Sequence, residues 1–128
     1  MENILRFNLI HEDMVVEYIK NSDISKIIVG IPKRHKHLRL LITLEDGRVF
    51  VFSEAALANM VRAYVTVKTH PVKRAVELKR IDLKNDAKLK REYARIQLLE
   101  TEREEDRIRE ELLQMIKNST YISKANPS

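Results

Sequence analysis

Apolar and polar positions alternate most regularly between residues 38 and 52. Leucine or isoleucine stands at each even position from Leu38 to Leu44, and a second apolar run covers Val49–Phe52. A period of two is typical of a strand with one buried face. Glu45 to Gly47, between the two runs, are residues that a tight turn favours. The pattern therefore predicts a β-hairpin.

The residues before the hairpin contain three further predicted elements. Ile4–Leu9 has the composition of a short strand. In His11–Asn21 the apolar side chains recur at helical spacing, which predicts an amphipathic helix. Lys26–Ile31 is a continuous, mostly β-branched run that stops at Pro32. Such a run favours an inner strand that is buried on both faces.

A helix and an edge strand are predicted after the hairpin. Ser53 can cap the helix by accepting a hydrogen bond from a backbone amide, and apolar residues follow at helical spacing until Pro71 ends it. In Val72–Leu83 the earlier apolar residues fit one face of a strand and the later ones fit the other face. We interpret this segment as an edge strand. Its Lys79 and Arg80 would protect that edge from pairing with another chain.

The C-terminal third of the chain predicts one long helix. From Asp86 to about Lys117 there is no glycine or proline, and helix-forming residues dominate. Such a helix would measure about 48 Å, against a diameter of about 36 Å for a compact domain of this size. We expect its overhanging apolar stripe to bind a second copy, unless it folds back on its own subunit. The stripe consists of Ile108, Leu112, Leu113 and Ile116.

Together these elements indicate an α+β fold. We expect a mixed or antiparallel sheet of four to five strands with the β-hairpin at its centre, two short helices and the long C-terminal helix. A chain of 128 residues has room for one domain. We assign residues 1–119 to that domain, with the long helix at about 86–117, and expect residues 120–128 to be a frayed tail.

Composition excludes several kinds of site. The chain has no cysteine, so it has no disulfide, thiolate ligand or cysteine nucleophile. Its two glycines are too few for a phosphate-binding loop of the Walker or dinucleotide type. We therefore expect no cofactor and no catalytic residues, and favour a non-enzymatic role. No apolar stretch approaches the about 20 residues that cross a bilayer, and no signal peptide is recognisable, so we expect a cytoplasmic protein outside membranes.

Charge is distributed unevenly along the chain. The formal net charge is +5, but residues 33–95 alone carry +9. A segment this basic either binds polyanions or is solvated surface. Its densest cluster follows Pro32, in a loop where several cations could contact phosphate oxygens. The cluster consists of Lys33, Arg34, His35, Lys36, His37 and Arg39, and Lys68, Lys73 and Arg74 could extend the same face.

Two patterns resemble metal sites, and we assign neither. Glu77-Leu78-Lys79 has the carboxylate-x-lysine form found in metal-dependent nucleases. Three such triplets occur, which is close to the number expected by chance in a chain with 19 acidic residues. His35 and His37 would share a strand face, but the cations around them repel a dication and favour an anion.

These observations favour a small, non-enzymatic, homodimeric protein that contacts nucleic acid through phosphates. Base readout is not expected, because the basic segment offers few aromatic side chains for stacking. The alternative is a homomeric interaction or scaffolding protein that uses the long helix, with the basic face as ordinary surface. A metal-dependent nuclease ranks third.

Overall fold

The computed structural model describes residues 15–83 and 96–122. The chain divides into a first unit, residues 1–57 with 111–128, and a second unit, residues 58–110. The predicted strand Ile4–Leu9 lies outside the described residues. In chain order the elements are β1 (Glu17–Tyr18), a 3-10 turn (Asn21–Asp23), β2 (Ile24–Gly30), β3 (Arg39–Leu44), β4 (Val49–Ser53), α1 (Glu54–Thr69), β5 (Leu78–Asp82), β6 (Ile96–Glu100), α2 (Glu105–Lys117) and β7 (Thr120–Tyr121).

A three-stranded antiparallel sheet belongs to the first unit. β3 lies between β2 and β4, and it pairs with β4 so that Leu41 faces Val51. In the connecting turn Gly47 has φ 94°, a conformation that glycine adopts without steric cost. The predicted β-hairpin is confirmed. It was predictable from the sequence because its register and its turn both depend on residues close together in the chain.

The strand predicted before Pro32 forms as β2, but its predicted burial on both faces is wrong. β2 pairs only with β3 in the described chain and therefore lies at an edge of the sheet. Ile27, Ile28 and Val29 are 53%, 51% and 53% exposed. A continuous apolar run does not distinguish an inner strand from an edge strand whose two faces are only partly covered.

The described part of His11–Asn21 does not form the predicted helix. Glu17 and Tyr18 pair in parallel with β7, the Thr120 N–H donates to the Val16 carbonyl at 2.9 Å, and the rings of Tyr18 and Tyr121 are 5.2 Å apart. These contacts join residues more than a hundred positions apart. Local periodicity cannot report such a pairing, and here it outweighs helical propensity.

The helix predicted after the hairpin is confirmed as α1. The hydroxyl oxygen of Ser53 accepts a hydrogen bond from the Ala56 N–H at 3.2 Å, so the residue caps the helix as its position predicts. The helix ends at Thr69, before Pro71. No helix within residues 15–83 or 96–122 has the length and hydropathy of a membrane span.

The second unit corrects the long-helix prediction. Ile96–Glu100 forms β6, antiparallel to β5, with Leu78 facing Glu100 and Asp82 facing Ile96. Only α2 remains of the helix expected over 86–117, and residues 86–95 lie outside the described part. Pairing with the open edge of β5 satisfies backbone groups of 96–100, and this non-local gain outweighs the helical propensity of the segment.

The expected fold is therefore wrong in its architecture, although the α+β class is correct. In place of one sheet of four to five strands, the described residues contain seven strands in three small sheets, together with two α-helices. β5 confirms a strand within Val72–Leu83, paired with β6 in a sheet of its own. The assignment of residues 1–119 to one domain stays a prediction.

Candidate nucleic-acid interface

The basic cluster predicted after Pro32 lies between β2 and β3. We call Lys33–Arg39 the basic loop. The side chains of Lys33–His37 are exposed. Arg39 begins β3 and is half-buried, and its Nη1 donates to the Leu38 carbonyl at 3.1 Å. The loop therefore presents a row of cationic and imidazole side chains to solvent.

A tight turn shapes the first part of the basic loop. The His35 N–H donates to the Pro32 carbonyl at 3.0 Å, which closes a four-residue turn. Its third residue, Arg34, has φ 69°. A type II turn requires a positive φ at this position, and glycine or asparagine usually occupies it. Arginine here stores about 1 kcal/mol or more of local strain.

The cations of the basic loop have no acidic partners in the described chain. Lys33, Arg34 and Lys36 take part in none of the ion pairs found among those residues. At the far end of the loop the Leu38 N–H donates to a carboxylate oxygen of Glu54 at 2.6 Å, which ties the loop to the first turn of α1. Among the described residues, nothing neutralises the positive charge of Lys33, Arg34 and Lys36.

The residues expected to extend this face belong to the second unit, and two of them lie beside carboxylates. Lys68 is exposed near the end of α1. Lys73 forms an ion pair with Glu100, and the backbone N–H of Arg74 donates to Glu105. This hydrogen bond is the largest of the effects that lower the pKa of Glu105. The extension of the phosphate face to these residues stays a prediction.

The carboxylate of the nuclease-like triplet has structural partners. Glu77 forms an ion pair with Arg103 at 2.6 Å and accepts a hydrogen bond from the Thr101 hydroxyl at 2.9 Å. Residues 15–83 and 96–122 contain no group of three or more acidic or histidine side chains close enough to hold a metal ion. The triplet that begins at Asp86 lies outside these ranges.

Sequence reasoning did not identify a charged cleft of about 460 Å³ in the first unit. Arg48 crosses it and pairs with Glu17 at 2.6 Å and with Asp46 at 2.9 Å. Hydrogen bonds to Glu17 and Asp46 raise the pKa of Arg48, and the Arg48 backbone N–H lowers that of Asp46. Because each charge has a partner within the cleft, we assign it no ligand. Glu17 lies 31 positions from Arg48, so no local pattern pointed to the pair.

The predicted oligomer interface lies on α2. This helix is shorter than the helix over 86–117 on which the prediction depended. Leu112, Leu113 and Ile116 are 56%, 45% and 45% exposed, and Ile108 is half-buried. Leu112 and Ile116 also line a groove of about 290 Å³ beside residues of the β1 segment. The stripe is partly accessible. However, α2 is not long enough to give the overhang from which the binding of a second copy was predicted. This interface stays a prediction.

Comparison of the chain with models of protein families, with curated proteins and with solved structures gives no match. The functional argument therefore rests on the residues described above and on their geometry.

Proposed function

We propose that this protein binds the phosphate backbone of nucleic acid through the basic loop. One observation carries the proposal: the loop exposes consecutive cationic side chains that have no acidic partner among the described residues. Cations that neutralise phosphates release condensed counterions, and this release supplies most of the affinity in sequence-independent binding.

The strained turn gives independent support. Glycine would relieve the positive φ of Arg34, yet the position holds a side chain that can donate to phosphate oxygens. Local strain is often found where a side chain is positioned for a ligand. At the other end of the loop, the hydrogen bond from the Leu38 N–H to Glu54 limits the movement of the backbone.

Contact with phosphates is favoured over the reading of bases. The basic loop contains no aromatic residue on which an unpaired base could stack. It also contains no helix that could enter a major groove. We therefore propose binding with little sequence preference, in the cytoplasm, where nucleic acid is available.

Fluorescence anisotropy with short DNA and RNA duplexes tests this proposal. If about four to six phosphates are neutralised on duplex DNA, log affinity should fall against log salt with a slope of roughly −4 to −5. Replacement of Lys33, Arg34 and Lys36 by glutamine should weaken all probes alike and flatten the slope by up to about three. Probe sequence should matter little.

A charge-matched control separates a specific surface from total charge. Replacement of Lys26, Lys79 and Arg80 by glutamine also removes three exposed positive charges and lowers the net charge from +5 to +2. This control should bind almost as tightly as the unchanged protein. Equal losses in both triple variants would show that binding follows net charge, and would contradict an assignment to the basic loop.

The homomeric interaction protein is the second candidate. The exposure of Leu112, Leu113 and Ile116 favours it, because solvent-facing apolar groups on an amphipathic helix commonly contact another chain. If the unchanged protein binds neither DNA nor RNA at low salt, this candidate takes first place. We propose a homodimer under either function.

A further inference from the structure

We propose that two copies of this chain associate through the edge of β2 that no described strand covers, here called the free edge, and that β2 pairs there antiparallel with the same strand of the second copy. The partner is thus a second identical chain, and the contact is a two-fold symmetric extension of the β2–β3–β4 sheet to six strands. The self-association itself does not depend on the proposed function. Its consequence for nucleic acid, given below, rests on that function.

The backbone groups at the β2 edge can be assigned from the hairpin. The Leu44 N–H donates to the Arg48 carbonyl at 2.8 Å, so the even-numbered residues of β3 point their backbone groups towards β4. The odd-numbered residues of β3 therefore point towards β2, where Ile28 faces Leu41. By alternation, Ile27 and Val29 direct their N–H and carbonyl groups to the free side.

From Ile27 to Gly30 this edge carries none of the charges, prolines or bulges that usually prevent strand pairing. Edges are protected by charges, prolines or bulges. The register shift of β2 lies between Ile24 and Lys26, and Pro32 lies beyond the strand. From Lys26 to Gly30 the edge is regular and carries one charge. By contrast β5, at an edge of the other antiparallel pair, includes Lys79, Arg80 and Asp82.

The other edge of the same sheet is less suited to pairing. β4 also carries no charge, with Val49 and Val51 towards its open side, but it has five residues against seven in β2. In addition, α1 begins at Glu54, directly after the strand. A contact between β2 of one copy and β4 of another would not close into a symmetric pair, and it would generate open chains of copies.

One register makes the β2 edge complementary to itself. With Ile28 opposite Ile28 of the second copy, Ile27 faces Val29 of that copy. These two residues exchange two backbone hydrogen bonds, and the symmetry-related pair exchanges two more. Lys26 then lies opposite Gly30, so the two lysines avoid each other. Ile28, half exposed in one copy, becomes covered by its counterpart.

The same register places the two basic loops at opposite ends of the paired strands. Pro32 is four residues from Ile28, so the two Pro32 positions are separated by about 26 Å along the strands. Each basic loop extends further outward. The separation of the loops approaches the about 34 Å of one duplex turn, so both can contact phosphates of a single duplex.

Cysteine cross-linking tests the interface directly, because the natural chain has no cysteine. Ile28 belongs to a pair without mutual hydrogen bonds, whose Cα atoms lie about 4.5 Å apart, within the range that a disulfide spans. Ile28→Cys should therefore oxidise to a dimer of twice the 15.1 kDa chain mass. Lys26→Cys lies on the same strand face, but the two equivalents would be about 13 Å apart, so it should stay monomeric.

Other outcomes identify other contacts and overturn the proposal. If Val51→Cys forms cross-linked dimers and Ile28→Cys does not, the contact is assigned to β4. A series of larger species for the unchanged chain in velocity sedimentation would indicate polymers formed through β2–β4 contacts. If Ile28→Cys stays monomeric while the unchanged protein sediments as a dimer, the contact lies elsewhere, with α2 the next surface to test. Monomeric sedimentation at micromolar concentration, with no cross-link, excludes self-association.

Two variants keep the interface and the nucleic-acid proposal separable. Val29→Pro removes an N–H that faces the free edge and should dissociate the dimer while the hairpin stays folded. Its salt slope should be about half that of the dimer, with binding retained. The Lys33, Arg34 and Lys36 triple variant should bind more weakly, with a flatter salt slope, and stay dimeric. Failure of one proposal therefore leaves the other measurable.

Discussion

The basic loop of the first unit differs in its acidic partners from two cations of the second unit, Lys73 and Arg103, which we call the paired cluster. In the basic loop of the first unit, Lys33, Arg34 and Lys36 are exposed and take part in no ion pair among the described residues. In the second unit, Lys73 pairs with Glu100 and Arg103 pairs with Glu77. Similar residues are thus exposed without an acidic partner among the described residues in one unit, and form ion pairs in the other.

The difference shows why the density of charge in a sequence overstates the charge available to a ligand. Residues 33–95 carry +9, but the carboxylate that pairs with Lys73 belongs to Glu100, 27 positions further along the chain and outside that segment. Only the fold brings these groups together. By contrast, no described carboxylate forms an ion pair with Lys33, Arg34 or Lys36 of the basic loop.

The test with the largest expected effect compares the removal of charges from the basic loop with their removal from the paired cluster. Replacement of Lys33 and Lys36 by glutamine should weaken duplex binding at 50 mM salt by roughly 10- to 100-fold, with the free energy of unfolding unchanged within about 0.5 kcal/mol. Replacement of Lys73 and Arg103 should leave binding nearly unchanged and lower stability by up to about 1 kcal/mol per pair. Anisotropy and urea unfolding measure the two effects. The reverse pattern would show that the paired cluster is the binding surface.

A second test separates the strain of Arg34 from its charge. Arg34→Gly and Arg34→Ala remove the same charge and should weaken binding equally. Glycine accepts the φ of 69° whereas alanine does not, so the glycine variant should be more stable by about 0.5–1 kcal/mol, after allowance for the larger entropy of its unfolded chain. Urea unfolding measures the difference. An alanine variant more stable than the glycine variant would show that the turn stores no strain.

The smallest expected effect concerns acid stability in the second unit. The N–H groups of Arg74 and Ala75 lower the pKa of Glu105 below its ordinary value of 4.5. A carboxyl whose pKa is lowered by folding stabilises the protein above the unfolded pKa, and loses this contribution as pH falls through the folded pKa. Glu105→Gln should therefore be less stable than the unchanged protein at pH 7, with a gap that narrows below pH 4.5. A gap independent of pH would contradict this role.

Elements whose contacts are local were predictable from the sequence. The hairpin follows from alternation around Gly47, and α1 follows from the Ser53 cap and the proline beyond its end. The basic loop was also visible as a run of cationic residues after Pro32. In each of these cases the deciding interactions join residues within a few positions of one another.

Elements fixed by distant partners were not predictable. Ile96–Glu100 contains good helix formers, yet it pairs with β5, and Glu17–Tyr18 pairs with a strand more than a hundred residues further on. The partners of Lys73 and Arg103 were missed for the same reason. Propensity summed over a local window cannot weigh hydrogen bonds to a segment whose position is unknown.

The most direct measurement of the central claim is a residue-resolved one. A 15.1 kDa chain suits amide chemical-shift mapping by NMR during titration with a short DNA duplex at low salt. We predict that the largest shifts occur at Lys33–Arg39, that they reverse as salt is added, and that they are the same for duplexes of different sequence. Shifts concentrated at Lys73 and Arg103, or no shifts at low salt, would contradict the claim that the basic loop binds nucleic acid.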